Sequence, residues 1–458
     1  MGFSRTVIPL SQFPTSAHAV QPRRLAIPRV SRIEWAYGQA HFGKSLLWHS
    51  SQLLFAYFLT EACGFSPYLM GIVLASALLV NAVTDLVVGR ALARHVAGFA
   101  AASRAQFGGA AASVSGLMLF ACAARLEGPS QVALAAGGLG LFALAYSLLD
   151  VPQNAILSLA PLDDRRRMRL SAARLVLSGV AQLLVVSAFA LLMRGLPATH
   201  AGNGFLGLSM AIGLIVIGSA GLLARVAAHP LPAGEDRADA AATDTGMPEW
   251  RGFALLLGMM AAYTVTTGVV GKLEPYVAAY WFSAATDGAA FMMAIAIGSM
   301  VAQPLWTARA RHRSADGVLA EAALVLALGG AAFQITGFGI VTALVAGLVL
   351  GAGQGGISML LWTRLATIAH RHRGQATRLF GAFTFTSKTA GAVATLVLGQ
   401  ILHVSRFAEA SDRAGVLVPV MTWLPACGAA GLLLFLFARR ASRHSLTGET
   451  PCLSPSPR

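Results

Sequence analysis

The sequence predicts an all-α integral membrane protein with twelve transmembrane helices in two six-helix halves and both termini in the cytoplasm. Composition is the first reason: of 458 residues 56% are hydrophobic and 12% charged, with a mean hydropathy of +0.66, outside the range of soluble domains. Periodic blocks are the second, because the apolar residues gather in runs of roughly 20 to 28, each able to cross about 30 Å of hydrocarbon as a helix. Charge placement is the third. Most of the 34 Lys and Arg fall on one side of the resulting topology, and only Arg125, Arg194, Arg406 and Arg413 fall on the other. That asymmetry is the positive-inside rule, so the net charge of +15 records orientation in a membrane and not a nucleic-acid surface.

The spans read, in order, 36–60, 67–89, 105–124, 131–158, 170–193, 203–225, 252–282, 288–308, 317–338, 340–363, 378–403 and 415–438. A tail over 1–34 precedes them, with Pro9, Pro14, Pro22 and Pro28 and without the apolar core of a signal peptide. The first half is expected over 35–226 and the second over 251–438. Between them 227–250 forms a Pro, Ala and Asp-rich central cytoplasmic loop, and 439–458 is a cytoplasmic tail. The segments "VVGRALARH" after span 2 and "PLWTARARH" after span 8 echo each other at the same place in each half. Repeated halves around a central loop are the plan of a transporter that rocks about a midplane site.

A charge at the centre of a membrane helix costs roughly 2.5 to 3.5 kcal/mol on insertion scales, so each such residue needs a partner or a purpose. Inside the spans stand Asp85, Asp150 and Glu274 against Lys44, Arg174, Lys272 and Lys388. Asn81 and Asp85 share a face of span 2 at i and i+4, and Tyr146, Asp150 and Asn154 repeat that spacing on span 4 beside Pro152. Span 1 carries a polar stripe of His41, Ser45, His49 and Gln52; Arg174, Ser178 and Gln182 form another on span 5, and Thr384 with Lys388 a third on span 11. Polar stripes on several helices imply a shared aqueous cavity, although Ser and Thr in membrane helices also serve packing. Lys272 and Glu274 lie toward the outer end of span 7, where a lysine can either snorkel to the interface or face the cavity. The cysteines Cys63, Cys122, Cys427 and Cys452 have no metal or redox spacing. No H-E-x-x-H, G-x-S-x-G or paired-acid motif marks an enzyme.

At these residues the sequence resembles the glycoside-pentoside-hexuronide:cation symporter family, the melibiose permease branch of the major facilitator superfamily. The start "YGQAHFGKSLLW" (Tyr37 to Trp48) is similar to the family's Y-G-x-x-x-x-G-K/N-x-x-x-W, and "VNAVTDLVVGR" to its W-D-A-x-x-D-P-x-x-G. The likeness continues at "GFSPYLMGIVL", "YSLLDVPQNAIL", "RLSAARLVLSG" and "FGAFTFTSKTAGAVATLVLGQIL". It implies the major facilitator fold and cation-coupled symport of a sugar or sugar-acid-like solute by alternating access. By the resemblance Asp85, Asn81, Asp150, Thr384 and Lys388 belong to cation coupling. The solute site would draw on Ser45, His41, His49, Gln52, Tyr146, Asp150, Arg174 and Lys388. The chain departs from the family pattern where Asn81 replaces a carboxylate, Ser45 an aspartate and Leu86 a proline, and where "WTRLATIAHRHR" stands in place of an acidic motif.

A sodium ion needs a cage of several oxygens, preferably with more than one negative charge, whereas a proton needs a single partly buried carboxylate. With Asn81 neutral, the expectation is H+ coupling through Asp85 in preference to Na+, with Asp150 as the residue that could still complete a sodium cage. Four embedded cations against three acids favour an anionic or zwitterionic solute. The expected partners are a small-molecule solute, the coupling cation and the lipid bilayer, with no nucleic acid and no cofactor, and the chain a monomer. The expected location is the cytoplasmic (inner) membrane of a bacterium. A lysophospholipid or secondary-metabolite carrier, working as importer or exporter, is the alternative on the same fold, and a non-transporting membrane sensor or scaffold is the second.

Overall fold

The computed structural model describes residues 32–95, 98–160, 162, 164–195, 201–229, 250–372 and 376–446. The N-terminal tail before Arg32, most of the central loop and the end of the C-terminal tail lie outside the described residues, as does the side chain of Arg94. Among the described residues the regular structure is entirely helical. The long helices are α1 (Arg32–Leu53), α2 (Pro67–His95), α3 (Phe99–Cys122), α4 (Gly128–Leu159), α5 (Asp164–Gly195) and α6 (Ala201–Ala228), followed by α7 (Trp250–Tyr280), α8 (Ala285–His312), α9 (Ala315–Ala332), α10 (Ile340–Arg371), α11 (Ala376–Val404) and α12 (Arg413–Leu446). Local chemistry marks their starts. Ser314 Oγ accepts from the Gly317 amide at 3.1 Å at the head of α9, and Asp412 Oδ1 accepts from the Gly415 amide at 2.8 Å at the head of α12.

Nine of these helices are long and apolar enough to cross a membrane by length and composition. The other three are α1, α5 and α11, the ones that carry the polar stripes with Lys44, Arg174 and Lys388. Their polarity belongs to the interior of the bundle: Lys44 is 6% and Lys388 8% exposed.

The expected span 36–60 is not one continuous α-helix. After Leu53 the chain passes through Phe55–Tyr57 into a π-helical turn, Phe58–Ala62, closed by the Cys63 amide on the Phe58 carbonyl at 3.1 Å. Thr60 Oγ1 donates back to the Ala56 and Tyr57 carbonyls at 3.4 and 3.3 Å, a competing acceptor choice of the kind that widens a helical turn. The wider turn aims Thr60 and Glu61 at α7.

Packing follows a repeated plan. In the first six helices α1 lies on α5 and α6, α2 on α4, and α3 on α4 and α6. In the last six α7 lies on α11 and α12, α8 on α10, and α9 on α10 and α12, the same pairs with six added to each number. The two sets meet along α2 with α11 and α5 with α8, which are themselves related by the same shift. Close approach within each set depends on small residues. A Cβ at Gly116 would strike the Phe142 backbone of α4, and one at Gly298 the Leu348 backbone of α10.

At the end of the bundle where α1 leaves and α2 begins, the two sets are sealed together. Thr60 Oγ1 lies 2.7 Å from the Tyr276 hydroxyl, Tyr280 donates to Glu61, and Arg413 donates to the Tyr280 hydroxyl at 2.8 Å while lying 3.9 Å from Glu61. Gly71 and Gly399 let α2 and α11 touch nearby: a Cβ on Gly71 would come 3.3 Å from the Gly399 Cα. Toward the opposite end the pairs are formed within each set, Arg169 with Glu34, Arg364 with Asp316, and Arg309 with Glu321 at 2.7 Å.

Candidate functional site

One face of α4 shows how the interior opens. Tyr146, Asp150 and Asn154 stand one turn apart, and they pass from buried to half-buried to exposed in moving away from the sealed end. Their i, i+4 spacing puts all three on one wall, and α1, α2, α5 and α11 bring their charges to it.

Two ion pairs result. Lys44 Nζ of α1 lies 2.6 Å from Asp150 Oδ1 and 3.4 Å from Asn154 Oδ1. Asn154 Nδ2 also donates to Asp150 at 3.1 Å, and Arg174 of α5 donates to Asn154 Oδ1 at 2.7 Å. This is a four-residue network inside the first set of helices. The second pair joins the two sets: Lys388 of α11 donates to Asp85 Oδ2 of α2. Its other oxygen, Asp85 Oδ1, is buried with no hydrogen-bond partner among the described residues. Lys388 Nζ also lies 5.9 Å from the centroid of the Tyr146 ring, within reach of a cation–π attraction.

The remaining residues expected at the site divide into those the fold brings to the interior and those it ties up elsewhere. Gln52 and Tyr146 line a cavity between α1, α2, α4 and α7. Asn81 borders the same cavity, but its amide is committed to α4: Nδ2 donates to the Ala143 carbonyl at 2.7 Å and to Ser147 Oγ at 3.1 Å. His49 Nε2 lies 3.1 Å from Ser178 Oγ, linking α1 to α5. His41 is buried, stacks on Tyr37 at 6.4 Å, and keeps Nδ1 without a partner among the described residues. Ser45 is buried and donates to the His41 carbonyl of its own helix at 2.8 Å, and Thr384 donates to the Phe380 and Gly381 carbonyls of α11 at 3.0 and 3.1 Å.

The fold turns Lys272 inward: it is 3% exposed, lines the cavity and donates to Gln52 Oε1 at 3.1 Å. The π-turn after α1 meets the same helix α7 through Thr60 Oγ1, 2.7 Å from the Tyr276 hydroxyl. Glu274 is also 3% exposed, with Oε2 unpartnered among the described residues. Sequence reasoning counted Lys44 among the embedded cations without placing it at the site. Its partner was findable, since Lys44 and Asp150 are the cation and acid that face each other once α1 and α4 are set side by side. Trp48 and Phe142, which stack with Tyr146 at 5.8 and 5.7 Å, gave no signal beyond hydrophobicity.

The fold and the sequence were compared with known proteins. Solved structures of similar fold include a D-xylose-proton symporter, at 13% identity over 88% of this chain and 96% of that one, with a TM-score of 0.62. They also include the nucleoside transporter NupG, at 15% identity over 89% and 99% with a TM-score of 0.61, and a protein studied for substrate recognition in proton dependent oligopeptide transporters, at 15% identity over 90% and 99% with a TM-score of 0.61. No curated protein sequence matches the chain. A family model described as MFS/sugar transport protein matches residues 36–439, nearly the whole helical region. The chain belongs to this MFS/sugar transport protein family, the melibiose-permease-like family that its α2 and α11 residues resemble.

Proposed function

We propose that the protein is a secondary active transporter of the cytoplasmic membrane, with both termini in the cytoplasm, that couples proton movement to symport of a small sugar or sugar-acid-like solute by alternating access. The observation that carries the reading is the Asp85–Lys388 pair, an ion pair that bridges the two sets of helices deep in the bundle, with Lys388 5.9 Å from the Tyr146 ring that lines the cavity. A charge-paired carboxylate and lysine in low dielectric hold each other tightly, and removing the charge of one partner releases the other. A proton arriving on Asp85 therefore loosens α2 from α11, the seam along which the sets must shift.

In the positive-inside topology the sealed end is extracellular, so the structure is the inward-facing state. Glu61, Tyr280 and Arg413 hold it shut on the outside, and these contacts break when the transporter faces outward. Tyr146 connects the two events: it borders the cavity and lies under Lys388, so a bound solute and a protonated Asp85 act on the same lysine. The excess of cations over acids at the wall, with Arg174 donating to the neutral Asn154, favours an anionic solute.

Asp85→Asn in proteoliposomes is the test. An imposed pH gradient should drive solute accumulation through the wild type and none through the variant, while both give the same gel-filtration profile. Accumulation that survives in the variant sinks the proposal.

A further inference from the structure

The helices α5 and α8 meet across the seam between the two sets, but their contact does not run their whole length. Toward the sealed end Ser187 Oγ lies 3.6 Å from Met293 Sδ, and farther along a Cβ on Gly179 would come 2.9 Å from Met300 Sδ. Beyond that point, toward the end of α8 that carries Arg311, a cleft of about 450 Å³ opens between them, bordered on its third side by Met359 of α10. Clefts that hold organic ligands measure roughly 300–1,000 Å³.

Helical spacing shows which way the cleft faces. On α5, Val176, Val180 and Leu184 recur one turn apart and are exposed, and on α8 so are Val301 and Leu305. Apolar faces of this kind meet hydrocarbon in a membrane-spanning bundle. Val176 and Pro304 stand beside these faces and line the cleft, so it opens from the seam onto the apolar belt. None of its walls comes from α1, α2, α4, α7 or α11.

The one charge on the lining is Arg311. Pro304, Ala308 and Arg311 share a face of α8, and at 1.5 Å per residue Arg311 lies about 10 Å along the helix from Pro304. Its neighbours Arg309 and Arg313 both turn to Glu321, at 2.7 and 3.7 Å. Arg311 is exposed and has no ion pair among the described residues. Three guanidinium groups thus stand around one carboxylate, and the one that faces the cleft is left over. A guanidinium offers a phosphate two parallel N–H bonds, and basic pockets between helices at the cytoplasmic side take anionic lipid head groups.

We infer that the α5–α8 cleft is a site for a resident anionic glycerophospholipid of the inner leaflet, its phosphate held by Arg311 and an acyl chain lying against Val176, Met300 and Pro304. The inference rests on the cytoplasmic placement of this end proposed above. The lipid is a bound partner and not the solute, whose sugar-like class it leaves as it stands.

The experiment is native mass spectrometry of the purified full chain from micelles doped with equal amounts of phosphatidylglycerol and phosphatidylcholine of identical acyl chains. The wild type should retain phosphatidylglycerol in preference, and Arg311→Gln should cut that preference by about fivefold, the scale of one basic contact to an anionic lipid. Arg311→Lys should keep most of it. Arg104→Gln, which removes an exposed arginine of α3 outside the cleft, should leave it unchanged. Ala308→Trp fills the cleft with the charge in place and should lower retention as well. Equal preference in Arg311→Gln and wild type overturns the inference, and so does an equal fall in Arg104→Gln, which would mean diffuse charge attraction. Displacement by glycerol 3-phosphate as readily as by phosphatidylglycerol would give Arg311 to a soluble anion and overturn it too. The readout needs no transport: if the lipid preference is absent while Asp85-dependent accumulation persists, this site falls and the transport reading stands.

Discussion

The two buried lysine–carboxylate pairs look alike in sequence and differ in what they connect. Lys44 and Asp150 belong to α1 and α4, both in the first set of helices, and Asn154 and Arg174 brace them. Asp85 and Lys388 belong to α2 and α11, which lie on opposite sides of the seam, and Asp85 Oδ1 has no hydrogen-bond partner among the described residues. A pair enclosed by its own helices adds rigidity. A pair strung across the seam between the two sets, with spare acceptor capacity, is the one that the proposed proton coupling would open. On that proposal coupling lies in connectivity and not in residue type.

The strongest way to break this comparison is to remove both charges at the seam. Asp85→Asn with Lys388→Gln leaves no unpaired buried charge, so the fold should survive. Solute counterflow should persist and pH-driven accumulation should vanish, both measured in the same liposomes. Accumulation in the double variant would place the proton elsewhere.

The next effect should appear in stability. Lys44→Met strands Asp150 inside the first set of helices, and breaking a buried pair from one side costs about 3–5 kcal/mol. Lys44→Met with Asp150→Leu should regain most of that. Denaturant unfolding of the three proteins in detergent checks it, and a single variant as stable as the double would show that the network is not a brace.

A smaller effect is expected at the outer seal, where Arg413 and Glu61 are 31% and 21% exposed along their side chains. Partly exposed pairs contribute on the order of 1 kcal/mol, a shift of about fivefold in a two-state balance. Cys63 is 8% exposed just behind Glu61. In a background with Cys122, Cys427 and Cys452 changed to Ser, Arg413→Gln should raise Cys63 labelling by an impermeant maleimide about fivefold. Unchanged labelling would mean that the aromatic contacts of Tyr57 with Phe189 and Tyr276, at 5.2 and 5.3 Å, hold the seal alone.

Much of this was legible in the sequence because membrane burial leaves a simple record. Asp85 and Lys388 stood out as charges in apolar helices, and the resemblance put both in one cation-coupling group before any geometry did. The helical character and the family were equally open to a reading of apolar blocks and motifs. Side-chain direction was not. Nothing in "GKLEPY" says that Lys272 turns to Gln52 of α1 instead of the interface, and the π-turn at Phe58–Ala62 was equally hidden, because one extra residue in a turn leaves no periodic signature. Ser45 and Thr384 donate to carbonyls of their own helices, as a hydroxyl in a helix can, so a polar stripe marks a face without fixing where each hydroxyl donates.

The smallest effect tests the rule from the other side. Arg309 and Glu321 join α8 to α9 at 2.7 Å, and Arg313 adds a second cation at 3.7 Å. Like Lys44 with Asp150 the pair lies within one set of helices, but Arg309 is 50% exposed along its side chain, where water and salt screen the attraction. An exposed carboxylate is well solvated without its Arg309 partner. Glu321→Gln should therefore leave the unfolding midpoint and pH-driven accumulation unchanged in both low and high salt. A loss of accumulation with stability intact would show that this end of the bundle, and not only the α2–α11 seam, carries a charge that changes partners during the cycle.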